Sequence, residues 1–467
     1  MRFTPTLCLL LCTCLFGAQP NVVLIVADDM GWGDLGCYGS KQNSTPHIDR
    51  LAREGMKFES FYATQAVCTS SRCALLTGCY PNRLGLGGTA LPPASKVGLH
   101  PEEQTLATLL RSAGYRTGIV GKWHLGLGAT EVDFNAEIKP GPIEVGFGYA
   151  FIIPATGDRV PCVFIENHRV VGLDPADPIR VSYGKPVGNE PTGLTHPERL
   201  IIKADRQHSQ AIVNGVSRIG YMTGGTAALW QDEDIADTLT RKAVAFLENQ
   251  KTGQPFFLYL APHDIHEPMV PHPRFRGTSG CGWRGDVIHQ LDWTIGEVLG
   301  TLDRLGLARN TLVIFSSDNG GAIKNTYDDG TNHLHALQPP NGALRGFKSS
   351  LYEGGHRVPF LARWPARIPA GGTSDALIGL VDLPRTFAAI VGQPIPAGAL
   401  PDSVDVSSAV LGVKGAKGRD QLVLQNNGQQ PLALRFGSWK LIQKPSGAAE
   451  LYDLATDPSE VKDLAAA

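Results

Sequence analysis

A surplus of charge of either sign is missing from this sequence: 42 lysines and arginines stand against 44 aspartates and glutamates, for a formal net charge of -2. No overall field therefore recruits nucleic acid or an anionic membrane, and any anion has to be captured by a local group of side chains. Beyond the N-terminus there is also no apolar run long enough to cross a bilayer, so no transmembrane segment is expected. Charged residues make up only 18% of the chain against 42% apolar, a globular balance without the signature of disorder. No internal repeat is visible. Nine cysteines are present, but their spacings match neither a zinc ribbon nor a disulfide-dense scaffold.

The chain opens with one early cation, Arg2, an apolar run from Leu7 to Phe16, and the small residues Gly17 and Ala18. This reads as a secretory leader over 1–18, and the mature protein is expected to be exported, periplasmic or secreted. Cys8, Cys12 and Cys14 would leave with it. Six cysteines would remain, at 37, 68, 73, 79, 162 and 281.

At 467 residues the chain can hold one large α/β domain with a smaller appendage. Runs rich in branched residues at Asn21 to Ala27, Tyr115 to Gly121, Pro255 to Ala261 and Thr311 to Asp318 are nearly continuous in apolar character. That suits strands buried on both faces of a parallel sheet. Helix-like stretches lie between them at Thr45 to Gly55, Thr105 to Gly114, Asp232 to Gln250 and Asp286 to Gly306. In the last, Val287, Leu291, Ile295, Val298, Leu302 and Leu305 make one apolar stripe. The expected class is α/β, a large mostly parallel central sheet flanked by helices. A catalytic domain over 19–395 is read to contain a loop-rich insertion at 151–230. A Pro-, Gly-, Ala- and Ser-rich linker at 396–420 then leads to a small strand-rich subdomain at 421–467.

In an open α/β sheet the ligand lies beyond the carboxyl ends of the strands, and the polar clusters fall there. Asp28 and Asp29 follow the first strand, Lys122 and His124 the second, His263, Asp264 and His266 the third, and Asp318 and Asn319 close the fourth. Alone, Asp28 with Asp29 reads as a turn or a helix cap, and SDNGG as a turn. Together they offer three carboxylates and one amide oxygen, a set that suits Ca²⁺ or Mg²⁺ rather than zinc. Cys68 opens CTSSRCALLTG, whose Thr69, Ser70 and Ser71 suit a helix start, so Cys68 would sit at the positive end of a helix with Arg72 on its face. Lys122 and His124, two apart in extended chain, would share one face while Trp123 turns away. Lys348, in LRGFKSSLYEGG, reads by itself as a surface lysine.

Jointly, PNVVLIVADDMGWGDLGCYG, CTSSRCALLTG, GKWHLG, APHDIHEP, SSDNGG, LRGFKSSLYEGGHRVPF and the ending ELYDLATDPSEVKDLA resemble the formylglycine-dependent sulfatases of the alkaline phosphatase superfamily. Within them, the likeness is to the arylsulfatase A and N-acetylgalactosamine-6-sulfatase branch. The resemblance implies hydrolysis of sulfate monoesters and Cys68 converted to formylglycine (3-oxoalanine) by a formylglycine-generating maturation enzyme. It further implies Ca²⁺ bound by Asp28, Asp29, Asp318, Asn319 and the modified Cys68. Arg72 would steady that residue. Lys122, Lys348 and one of His263 or His266 would bind the sulfate and leaving-group oxygens, and His124 would act as base in the second half-reaction. Ser70 stands where the family usually has Pro or Ala.

A sulfated carbohydrate is the expected substrate, because the insertion and the loop from His333 to His335 could wall a sugar pocket. The alternatives are a phosphate or phosphonate ester hydrolase of the same superfamily and an inactive sugar-sulfate binding homologue. A two-zinc phosphatase would need a second cluster of metal ligands, which the sequence lacks.

Overall fold

The computed structural model describes residues 19–465 except 89, 96–97, 252, 335–337 and 427–430, so the leader read at 1–18 and His335 lie outside the described residues. The four branched runs form strands at Asn21–Ala27, Arg116–Lys122, Phe256–Ala261 and Thr311–Ser317. Every residue of the last two is buried, which is why they carry no polar alternation.

These strands form the centre of a ten-stranded sheet in the order Gly372–Ser374, Met56–Phe58, Phe360–Arg363, Thr311–Ser317, Asn21–Ala27, Phe256–Ala261, Arg116–Lys122, Tyr149–Ile153, Ile165–Glu166, Arg169–Val170. From Thr311–Ser317 to Tyr149–Ile153 the neighbours run parallel. Phe360–Arg363 runs antiparallel to both its neighbours. Tyr149–Ile153 was not among the strands expected from sequence, and the stretch read as an insertion from 151 begins inside it. Beyond it that stretch holds only short strands and 3₁₀ turns.

Helices form at Pro46–Glu54, Leu106–Ser112, Ile235–Glu248 and Gly282–Arg304. The Thr105 hydroxyl caps the second by accepting from the Thr108 amide at 3.1 Å. Gly282–Arg304 starts a turn earlier than the sequence suggests. Its stripe from Val287 to Leu302 is buried, but Leu305 lies just past the helix end and is 37% exposed, so it does not extend the stripe.

Strand register sets the rim. Ala27 pairs with Ser317, Ile25 with Leu260 and Gly121 with Ala261, so the four strands end within one residue of one another. The Asp28 amide donates to the Asp264 carbonyl at 3.1 Å, and the Asp318 amide to the Ala27 carbonyl at 3.2 Å. Gly121 takes φ +113°, and a Cβ there would lie 1.9 Å from the Ala261 carbonyl oxygen, so only glycine lets the strands close up before Lys122.

The C-terminal sheet is an antiparallel meander of Gln421–Gln425, Leu432–Phe436, Trp439–Gln443 and Ala449–Asp453. Its inward side chains Leu422, Leu424, Ala433 and Ile442 pack with Tyr62, Ala74 and Leu351. Residues 396–420 carry the short helix Ser407–Val410, whose Ala409 and Val410 are buried in the main core. Fully buried Lys440 sits 2.9 Å from both Glu353 and Glu460, joining the small sheet to the segment after Lys348. Lys440→Ala leaves Glu460 without its cation and Glu353, among the described residues, with only Arg357 at 3.6 Å, and is expected to lower unfolding stability by about 3–5 kcal/mol in chemical denaturation. A loss under about 1 kcal/mol would contradict this account of the junction.

Candidate active site

Asp28 and Asp29 follow one another, and in a regular strand consecutive side chains point to opposite faces. Here Asp29 takes φ +63°, a conformation that Asp tolerates better than most residues. Alternation breaks, and both carboxylates turn to Cys68: its Sγ lies 3.5 Å from Asp28 Oδ1 and 4.0 Å from Asp29 Oδ1.

Cys68 is the first residue of the helix Cys68–Thr77, preceded by an extended Val67 without a side-chain cap. The hydroxyls that read as a helix start instead tie the helix to loops. Thr69 donates to the His124 carbonyl at 3.0 Å, Ser70 to the Leu86 carbonyl at 2.7 Å, and Ser71 to the Gln65 carbonyl. One turn on, Arg72 uses Nε and Nη2 to hold Asp318 Oδ2 at 3.0 and 2.8 Å, and Nη1 to reach the Tyr259 hydroxyl at 3.2 Å. This fork is fully buried. Asp318 Oδ1 accepts from the Asp29 amide at 3.2 Å.

Each carboxylate has its own cation. Lys122 Nζ lies 2.5 Å from Asp28 Oδ2, both side chains wholly buried, and Lys348 Nζ lies 2.7 Å from Asp29 Oδ1. The lysine that reads as a surface residue is thus turned inward. Asn319 donates to Asp29 Oδ1 at 2.8 Å, while its own Oδ1 is buried with no partner. A buried amide oxygen left unpaired is uncommon unless something else binds it.

His124 departs from the sequence reading in its backbone. The strand ends at Lys122 and His124 takes φ +56°, so the two do not share a face by strand alternation. Its Nε2 donates to the Leu91 carbonyl at 3.0 Å, and Nδ1 is buried without a partner. Of the two loop histidines, His263 Nε2 accepts from the Gly157 amide at 2.9 Å. His266 Nε2 lies 3.9 Å from Asp29 Oδ2, and its Nδ1 donates to the Glu267 carbonyl at 2.6 Å. Asp28, Asp29, Cys68 and His266 each present a ligand-type atom, all within 4.8 Å of one another. The sequence reading had no imidazole in this group.

Burial and charge set the protonation pattern. Burial pushes the Cys68 thiol up to about 12, against the pull of Lys122 and Lys348. Burial also disfavours an ionised Asp29, but Lys348, His266 and Lys122 together hold it well below the usual carboxylate range. Asp318 is raised by burial and by Asp28, with Arg72 opposing. Burial, with Lys122 and Arg159, lowers His124 well below the ordinary imidazole value. His263 and His266 are lowered to about 4, chiefly by burial. Burial works to lower Lys348, but Asp29, Cys68 and Asp28 together raise it well above its usual value.

Cys68, His124, His266 and Lys348 border a cavity of about 280 Å³. Its lining also includes Asp158, Arg159 and His208, which sequence reasoning passed over because the stretch around them has no clear periodicity. His333, on the helix Thr331–Leu334, is exposed and is not among the residues bordering this cavity.

The sulfatase family model matches residues 20–393, and the model for the C-terminal part of N-sulphoglucosamine sulphohydrolase matches 347–467. An N-acetylgalactosamine-6-O-sulfatase of Bacteroides thetaiotaomicron is 48% identical over 463 residues, covering 96% of this chain and 90% of that one. Human arylsulfatase A is 34% identical over 471 residues, covering 95% of this chain and 83% of that one. A solved B. thetaiotaomicron structure, reported under the metabolism of multiple glycosaminoglycans, superposes with a TM-score of 0.92 at 48% identity, with 96% of each chain covered. The family match over 20–393 and these two relatives show that the chain belongs to the sulfatase family and is a sulfuric ester hydrolase.

Proposed function

We propose that this enzyme removes sulfate from a carbohydrate, with a formylglycine made from Cys68 as nucleophile and a calcium ion held by Asp28, Asp29, Asp318, Asn319 and the modified residue 68. The supporting observation is the meeting of Asp28 and Asp29 within 4.0 Å of Cys68 Sγ, beside the unpartnered oxygen of Asn319. Oxygen donors of this kind fit a hard cation. An Asp, Asp, Cys, His set would also suit zinc on ligand identity, but conversion of Cys68 removes the one sulfur ligand, and Asp318 with the unpartnered Asn319 oxygen adds donors that favour a hard cation. Burial pushes the unmodified Cys68 thiol up to about 12, so it would be a poor nucleophile at neutral pH.

Formylglycine supplies, as its hydrate, two hydroxyls on one carbon, one to take the sulfuryl group and one whose deprotonation releases it. A bound calcium ion supplies fixed positive charge that favours an ionised hydroxyl at position 68. Arg72 fixes Asp318 by its two-pronged contact, so that carboxylate keeps one orientation. With Asp28 and Asp29 turned to a cation, the ammonium groups of Lys122 and Lys348 are free to hold sulfate oxygens, where negative charge grows in the transition state. Lys348 or a loop histidine would supply the proton for the departing alcohol, and turning Asp29 to a cation relieves one of the contacts that raise Lys348. His266 lines the cavity and orients the leaving-group oxygen, while His263 is engaged by Gly157. Neutral His124 keeps Nε2–H on Leu91 and offers the Nδ1 lone pair as base for the second half-reaction.

Chelation by EDTA is expected to stop sulfate release, and added calcium to restore it where zinc does not. Full activity after chelation, or rescue by zinc alone, would contradict the metal assignment. The modification is read by mass spectrometry, where the peptide bearing residue 68 should be lighter by about 18 Da than its cysteine form. An unmodified thiol in the exporting host would favour a sugar-sulfate binding protein. Substrate class is tested on enzyme co-expressed with a formylglycine-generating enzyme. Sulfate release from sulfated mono- or oligosaccharides supports the reading, and turnover only of phosphate or phosphonate esters overturns it.

A further inference from the structure

We infer that Asp158 and Arg159, steadied by His208, bind a pair of hydroxyls on the sugar ring and so select sulfated sugars over sulfated aromatic alcohols. The inference deepens the carbohydrate reading above and rests on it. Asp158 is only 2% exposed yet lines the same cavity as Cys68 and Lys348. Burial works to raise its carboxyl, but Arg159, His208, His266 and Thr156 together hold it well below the usual range. Its partners are nevertheless loosely placed. His208 Nε2 stands 3.4 Å from Oδ2 and Arg159 Nε 3.5 Å from Oδ1, and the Thr156 hydroxyl is its one close donor. Both long separations exceed a normal charge-assisted hydrogen bond of roughly 2.7–2.9 Å. A carboxylate accepts about four hydrogen bonds, so Asp158 can take a ligand hydroxyl without giving up what holds it.

Arg159 supplies the complementary half. Its Nε donates to Thr156 Oγ1 at 3.2 Å, while among the described residues neither terminal nitrogen has a hydrogen-bond partner. A guanidinium in a cavity with free N–H groups is a donor awaiting acceptors. His208 is fixed from behind: Nδ1 lies 2.8 Å from Asp205 Oδ1, and the ring meets Tyr327 edge-on at 5.5 Å between centroids. It can therefore orient Asp158 rather than swing toward the ligand.

A hydroxyl both donates and accepts, so adjacent sugar hydroxyls can satisfy a carboxylate and a guanidinium together. An aromatic or steroid ring offers neither, and would cover the free guanidinium N–H groups and the open carboxylate lone pairs without giving them partners. The volume argues in the same direction. At about 280 Å³ the cavity lies near the lower end of ligand sites, roughly 300–1,000 Å³, which suits one ring.

The test uses mature enzyme whose residue-68 peptide carries the formylglycine mass, with N-acetylgalactosamine 6-sulfate and 4-nitrophenyl sulfate as probes. For both Asp158→Asn and Arg159→Gln, the ratio of kcat/KM for the sugar sulfate to kcat/KM for the aryl sulfate is expected to fall roughly 100-fold. Thermal melting of each variant within a few degrees of the parent confirms folding, and Arg159→Lys, which keeps the charge, should restore part of the ratio. Ratios within about threefold of the parent in both variants overturn the inference. A parent enzyme that hydrolyses the aryl sulfate but no sugar sulfate in a panel overturns the inference together with the carbohydrate reading, and leaves sulfate-ester hydrolysis standing. A matured parent that hydrolyses neither overturns the proposed mechanism itself.

Discussion

Replacing Cys68 by alanine is expected to abolish sulfate release, lowering kcat by roughly 10⁵-fold or more, as loss of a covalent nucleophile does elsewhere. The change removes a small, fully buried side chain at the first turn of a helix, where alanine is a good helix former, so the fold should persist. Cys68→Ser separates the two roles of position 68. A serine hydroxyl restores an oxygen beside Asp28 and Asp29 but cannot supply a second hydroxyl on the same carbon, so a sulfated serine should accumulate wherever the first step proceeds. Residual steady turnover above about one-hundredth of the parent in Cys68→Ala, measured as sulfate release, would remove position 68 from the chemistry.

Lys122→Met is expected to lower kcat/KM by about 10³-fold. Methionine nearly conserves volume, so the packing around Trp123 is kept while the ammonium 2.5 Å from Asp28 is lost. Two effects add. The sulfate loses a buried cation, and the Asp28 carboxylate is left without its partner in a site closed to water. Calcium compensates the second effect and not the first, so added calcium should recover melting temperature while activity stays low. Recovery of both together, or a kcat/KM within tenfold of the parent, would show Lys122 to be a structural cation only.

Much of the sheet could be read in advance because its central strands are long and apolar throughout. Asn21–Ala27 matches its expected bounds, and Thr311–Ser317 stops one residue short. The short edges were not readable. Met56–Phe58 and Phe360–Arg363 owe their conformation to neighbours supplied by distant parts of the chain, and three or four residues carry too little periodicity to be seen. Tyr149–Ile153, YAFII, is rich in strand formers, but the insertion boundary drawn at 151 cut through it.

The meeting of residues 28, 29, 122, 318 and 319 was legible because polar residues after buried parallel strands have one place to go, the carboxyl rim. Cys68 and Lys348 were joined to them only through the resemblance of their surrounding motifs. Turns at Asp28 with Asp29 and at SDNGG were legible, but the backbone conformation at each position was not. The φ of +63° at Asp29 and +56° at His124 reverse what strand alternation predicts for each side chain. The hydrogen bond from His124 to Leu91 depends on a loop more than thirty residues away. Asp158, Arg159 and His208 escaped notice for a related reason: they are held by one another, and no spacing rule marks them.

The most direct test is an anomalous-scattering crystal structure of the matured enzyme grown with calcium. A single calcium site is expected, with oxygen ligands from Asp28, Asp29, Asp318 and Asn319 at about 2.3–2.6 Å and an oxygen of modified residue 68 among them. An ion bound without Asp318 and Asn319, or no ion within reach of residue 68, would contradict the account.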